Sequence, residues 1–192
     1  MVENLTIIDI SRKPSSTLTI EQAGKTRAIC LALCGPQLNL APFVGSCAVV
    51  DMFAEQDQTQ ITEAQAVAAV DLVATQAAKL KANYGGQVEK PNRILFRTKR
   101  TGDTSIGRYF SEAALNKLFD SGIVLVGVDT PSLTPLNSSQ ELLTTLAKQG
   151  RACLINLELS EAPAGILYQL LAPPILISNE SLVPVRAVLT AL

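Results

Sequence analysis

The chain has no histidine and no tryptophan among its 192 residues. The missing imidazole removes whole classes of chemistry. No Ser-His-Asp or Cys-His arrangement can form, and no metal can be held by a ring nitrogen. A general base working near neutral pH would have to be a carboxylate with a raised pKa, or a lysine or thiol with a lowered one. Charge is scarce as well: only 17% of residues are charged, with 16 Lys and Arg against 17 Asp and Glu. The one basic cluster, Arg97, Lys99 and Arg100, is too small to track a phosphate backbone, so nucleic acid is not an expected partner. No uninterrupted apolar run approaches the ~20 residues of a membrane span. The opening Met-Val-Glu-Asn-Leu lacks a basic region followed by an apolar block. These absences lead to the expectation of a soluble, cytoplasmic protein with no membrane partner.

What is present is apolar material: 47% of the residues are hydrophobic. A chain of this size buries roughly 68–70% of its unfolded surface, enough for a substantial core. With no repeats, linkers or low-complexity tracts, one domain over residues 1–192 is expected. Cys30, Cys47 and Cys153 lie in apolar runs and read as buried small hydrophobes. A four-thiolate zinc site would want two close pairs, and the spacing supplies one loose pair and two singletons. Cys34 ends its run just before Gly35-Pro36, where it could sit at a cleft edge.

Apolar periodicity gives the elements. Strands are expected at Leu5 to Ile10, Lys25 to Cys34 and Phe43 to Phe53. Thr62-Glu63-Ala64-Gln65 is a capping box, and apolar residues recur at helical spacing from Val67 to Leu80, so a helix should run to just before Tyr84. Arg93 to Thr98 reads as a strand. Ser111 reads as the N-cap of a helix over Glu112 to Asp120, with Gly122 just past its end. Ile123 to Val128 and Ala152 to Leu159 are apolar enough to be buried on both faces. Between them, Ser138 to Glu141 opens a helix that stops at Gly150. Pro173-Pro174 interrupts Tyr168 to Ile177, which suggests an edge strand or two short pieces. Val185 to Leu189 reads as the closing strand. Alternating helices and buried strands imply a layered α/β domain with a partly parallel sheet, beside a second, mainly antiparallel one.

The sharpest local feature is Val126-Gly127-Val128 running into Asp129-Thr130-Pro131-Ser132. Polar side chains then sit at the carboxyl end of a buried strand, where α/β sheets bind ligands. Ordinary turn chemistry accounts for the same residues, since Asp and Thr cap free backbone groups and Pro forbids continuation. Arg97 to Asp103 follows another strand end and could receive an anion or simply be a solvated loop. Neither GxxxxGK[ST] nor GxGxxG is present to cradle a phosphate. Asp51 reads as a cap or as a carboxylate in a cleft.

Taken in order, these segments resemble the bacterial cyclase and kynurenine formamidase family of metal-dependent amide hydrolases. Arg93-Ile-Leu-Phe-Arg-Thr98 is similar to the family's "vLlRT" strand. Gly122 to Ser132, followed by Pro135-Leu-Asn-Ser138, resembles "GvrlvGiDtpSvDp.ds". Phe110 to Ala114, Asn156 to Leu159, Leu170 to Pro173 and Pro184 to Leu189 resemble further family stretches, as do Ile8 to Ser11 and Phe43 to Asp51 at the front. The resemblance implies an α/β, single-domain layered β/β/α (swivelling-type) cyclase fold with mixed sheets and helices. It also implies zinc or manganese as the family's cofactor, and an oligomeric, usually dimeric, scaffold.

The chain departs from the family at the chemistry. The family's H-x-G-T-H-x-D-x-P-x-H motif should follow the strand ending at Leu33. Here that interval reads Cys34-Gly-Pro-Gln-Leu-Asn-Leu-Ala-Pro42, with no histidine and no carboxylate. The later family histidine falls on Thr144 or Thr145, the glutamate before "NL" on Ile155, and the second aspartate of "SvDp" on Thr134. Such residues cannot supply the deprotonated ligands that a divalent ion needs. The expectation is a metal-free, cofactor-free and catalytically silent relative, with no catalytic residue. It would act as a small-molecule-binding or assembly subunit, partnered by itself as a dimer or by an active paralogue. A residual cleft would be lined by Cys34, Asp129, Thr130, Ser132 and Thr144. Two alternatives stand beside it. One is an arylformamidase-like hydrolase of amide or ester bonds with an altered, histidine-free site, using Cys34 as nucleophile or Asp129 as base, or binding a metal through oxygens and thiols alone. The other is a structural homo-oligomer without a ligand.

Overall fold

A computed structural model describes residues 6–11, 30–33, 39–53, 58–84, 90–100, 107–135, 139–175 and 182–192. The strands are β1 (Ile7–Asp9), β2 (Leu31–Leu33), β3 (Val44–Asp51), β4 (Gln60–Ile61), β5 (Arg93–Arg97), β6 (Tyr109–Phe110), β7 (Leu125–Val128), β8 (Ala152–Ile155), β9 (Leu167–Leu171), β10 (Leu182–Pro184) and β11 (Val188–Ala191). The helices are α1 (Glu63–Tyr84), α2 (Glu112–Asp120) and α3 (Ser139–Lys148).

Two of the helix starts are set by the capping chemistry that the sequence carries. Thr62 Oγ1 accepts from the Gln65 amide at 3.4 Å, and the Thr62 amide donates to Gln65 Oε1 at 3.0 Å. Ser111 Oγ accepts from the Ala114 amide at 3.1 Å and opens α2. Gly122 follows α2 at φ +88°, the left-handed conformation common after helix ends.

Nine strands form one sheet in the order β1-β11-β9-β3-β5-β7-β8-β2-β10. Its centre, β3-β5-β7-β8, is parallel, and both flanks are antiparallel. β4 and β6 make a separate two-stranded parallel pair. Each central strand is buried on both faces, and the alternation of side chains sorts them into two cores. One core packs Ala48, Val50, Ile94, Phe96, Val126 and Ile155 against α1, α2 and α3. The other contains no residue of α1, α2 or α3. It joins Tyr168, Leu170 and Leu189 from one flank to Ala32 and Val183 from the other, with Leu154 of the centre between them. Two flanks can share a core only if the sheet curls. Ser11 accordingly bridges to Leu157, and Pro174 bridges to Val185.

This arrangement corrects three expectations. The antiparallel strands are not a second sheet; they continue the parallel one and fold over it, which still gives a layered β/β/α architecture. The segment at Tyr168 is interior, between β3 and β11, because its ladder ends at Leu171 before the prolines. The closing segment is two strands rather than one: β10 pairs with β2, and β11 pairs with β9 and β1. Cys30, Cys47 and Cys153 are buried, as expected. Burial pushes the Cys47 thiol up to about 12, with the nearby Arg93 charge opposing, and pushes Cys153 up too. Cys34 lies outside the described residues. No helix among the described residues is long and apolar enough to cross a membrane.

Candidate functional site

The described core buries seven polar or charged residues: Thr98, Arg108, Asp129, Thr130, Ser132, Thr134 and Asn156. All lie just beyond the carboxyl ends of β5, β7 and β8 or on the chain that packs there. Buried polar groups need partners, so their gathering at one place marks a built network.

Gly127 lets β7 pass closely between its neighbours, since a Cβ there would collide with the side chains of Leu95 and Leu157. The chain then leaves the sheet at Asp129, which is 4% exposed. Both carboxylate oxygens are occupied. Oδ2 accepts from the amides of Thr98 at 2.8 Å and Lys99 at 2.9 Å, and Oδ1 accepts from the Thr98 hydroxyl at 2.6 Å. Burial raises the Asp129 pKa above the usual carboxylate range, opposed by the Thr98 hydroxyl, the two amides and the Lys99 charge. Thr130 Oγ1 donates to the Ser132 carbonyl at 2.6 Å, and the Thr130 carbonyl accepts from the Asn156 amide at 2.7 Å. Asn156 adopts φ +62°, the one positive φ of a non-glycine residue among those described. Gly107, at φ +80°, seals the cluster: a Cβ on it would lie 2.6 Å from Thr130 Cγ2 and 2.6 Å from Thr98 Oγ1. Thr134 is buried, and its Oγ1 has no hydrogen-bond partner.

Of the residues expected in a cleft, Asp129, Thr130 and Ser132 come together, and all three are buried. Thr144 is exposed on α3. β2 runs from Leu31, opposite Ile155, to Leu33, opposite Cys153. Its direction at Leu33 is therefore toward the start of β8, whereas Asp129 lies beyond the end of β7. Thr98 is the partner that sequence reasoning missed. Its only advance signal is its place at the end of a strand that pairs with β7.

Arg97 and Asp51 were weighed separately above, and they form a pair. Arg97 Nε lies 2.8 Å from Asp51 Oδ1, and Nη2 lies 2.9 Å from Oδ2. Arg97 also donates to the carbonyls of Leu159 and Ser160, and it stacks with Arg100 on the Phe53 ring. This two-pronged contact locks the ends of β3 and β5 together, so the guanidinium is already committed.

Among the described residues, the side chains do not fit a divalent ion. The chain has no imidazole. Ile155, 3% exposed, faces the helix-side core and pairs with Leu31. The Asp129 oxygens are taken. Among the described residues no three Cys, Asp or Glu gather in a group that could hold a metal.

The sequence model of the Cyclase family, described as "Putative cyclase", matches residues 6–135 of the chain. The chain is 38% identical over 109 residues to a kynurenine formamidase of Polaromonas naphthalenivorans (strain CJ2), covering 53% of this chain and 47% of that protein. A kynurenine formamidase of Paracidovorax citrulli (strain AAC00-1) is 36% identical over 105 residues, covering 52% of this chain and 48% of that protein. The chain thus spans about half the length of the curated relatives it matches. Among solved structures, a "predicted metal-dependent hydrolase" from Bacillus stearothermophilus superposes with a TM-score of 0.67 at 16% identity, covering 97% of this chain and 98% of that one. Isatin hydrolase A from Labrenzia aggregata, bound to benzyl benzoate, gives a TM-score of 0.64 at 16% identity, covering 97% of this chain and 93% of that one. These structural likenesses establish the fold.

Proposed function

Because this chain belongs to the Cyclase family of kynurenine formamidase-like hydrolases, we propose that it keeps the family scaffold while the metal-dependent hydrolysis is lost, and that it serves as a small-molecule-binding or assembly subunit. The observation that carries this reading is Ile155 in the helix-side core, where the family resemblance places a glutamate. A carboxylate there would need a cation or hydrogen-bond donors around it, and Ile155 instead lies opposite Leu31 in an apolar core that includes Leu33 and Leu146. The polar network around Asp129, Thr130 and Ser132 supports the binding half of the reading. It retains ordered polar groups at the strand ends where α/β sheets take ligands.

The identity to kynurenine formamidases favours one rival, a hydrolase with an altered site. Asp129 is its best base by burial, but the Thr98 and Lys99 amides hold its Oδ2 and the Thr98 hydroxyl holds its Oδ1. The two readings separate in one experiment. Purified protein is offered N-formylkynurenine and isatin with zinc, with manganese and with chelator, and a panel of small acids and amides is screened by thermal shift. The proposed reading expects no turnover under any condition and at least one stabilising ligand. A ligand at 100 times its dissociation constant adds about 2.7 kcal/mol, which a melting curve resolves. Chelator-sensitive turnover would overturn the proposed reading.

A further inference from the structure

We draw no further inference here: the strongest candidate, the cationic cluster in which the Arg100 guanidinium shares the Phe53 ring with Arg97 beyond the carboxyl ends of β3 and β5, would take an anion only across an open face, and nothing in the structure shows what covers it, since residues 54–57 and 101–106, which directly follow Phe53 and Arg100, lie outside the described ones.

Discussion

Replacing Ile155 by the glutamate that the family resemblance expects, Ile155→Glu, tests whether a metal cavity survives in this fold. Ile155 is 3% exposed and shares a core with Leu31, Leu33 and Leu146. Removing the buried aliphatic side chain costs about 1.5–3 kcal/mol of transfer free energy. A carboxyl in that place must also ionise at neutral pH against burial. If burial raises its pKa by about three units, ionisation at neutral pH costs roughly 4 kcal/mol more, at about 1.36 kcal/mol per unit. The sum, about 5–7 kcal/mol, is comparable to the whole stability of a small domain. The sign of the pH dependence follows from the raised pKa: the folded variant binds the proton more tightly than the unfolded chain. The variant therefore loses stability relative to wild type as pH rises from the unfolded carboxylate range through the folded pKa, and recovers part of the deficit at pH 5. Urea denaturation at pH 5 and pH 7, with and without zinc or manganese, reads all of this. The expected result is a large deficit at pH 7, a smaller one at pH 5, and no rescue by metal. A variant that binds one equivalent of metal and regains wild-type stability would refute the reasoning, because it would mean that the remaining ligands of the cavity are still in place.

Three further substitutions probe the network and the scaffold. Asp129→Ala removes the acceptor of the Thr98 and Lys99 amides and should destabilise the protein by about 2–5 kcal/mol in urea melts, since each stranded buried donor costs about 1–3 kcal/mol. Gly107→Ala forces a Cβ into Thr130 and Thr98 at a positive φ and should lower stability by about 1–3 kcal/mol; an unchanged melting curve would show that this packing relaxes freely. Ser111→Ala deletes the cap of α2 and should cost about 1 kcal/mol, measured by the same melts.

The elements that were legible in the sequence are those whose signals are local. α2 spans the residues that the Ser111 cap and Gly122 predict, and β7 and β8 lie within the two apolar runs. Features that depend on distant partners were not legible. Pro173-Pro174 looked like the mark of an edge strand, but β9 ends at Leu171 and needs no ladder hydrogen bond from them. Residues 182–191 form two strands because the sheet curls, so that one end of the segment meets β2 and the other meets β9 and β1. The pair β4 and β6 has two residues on each side, too few for a periodic signal. The site was half legible. The polar turn after β7 was evident, but which side chains it engages depends on register: Thr98 reaches Asp129, and Arg97 reaches Asp51, across strands 31 and 46 residues apart in sequence.

Elemental analysis of the purified full chain, taken with its rate on N-formylkynurenine before and after chelation, tests the central claim most directly. The account predicts far less than one equivalent of zinc or manganese per chain and no chelator-sensitive turnover. A stoichiometric ion whose removal abolishes hydrolysis would contradict it.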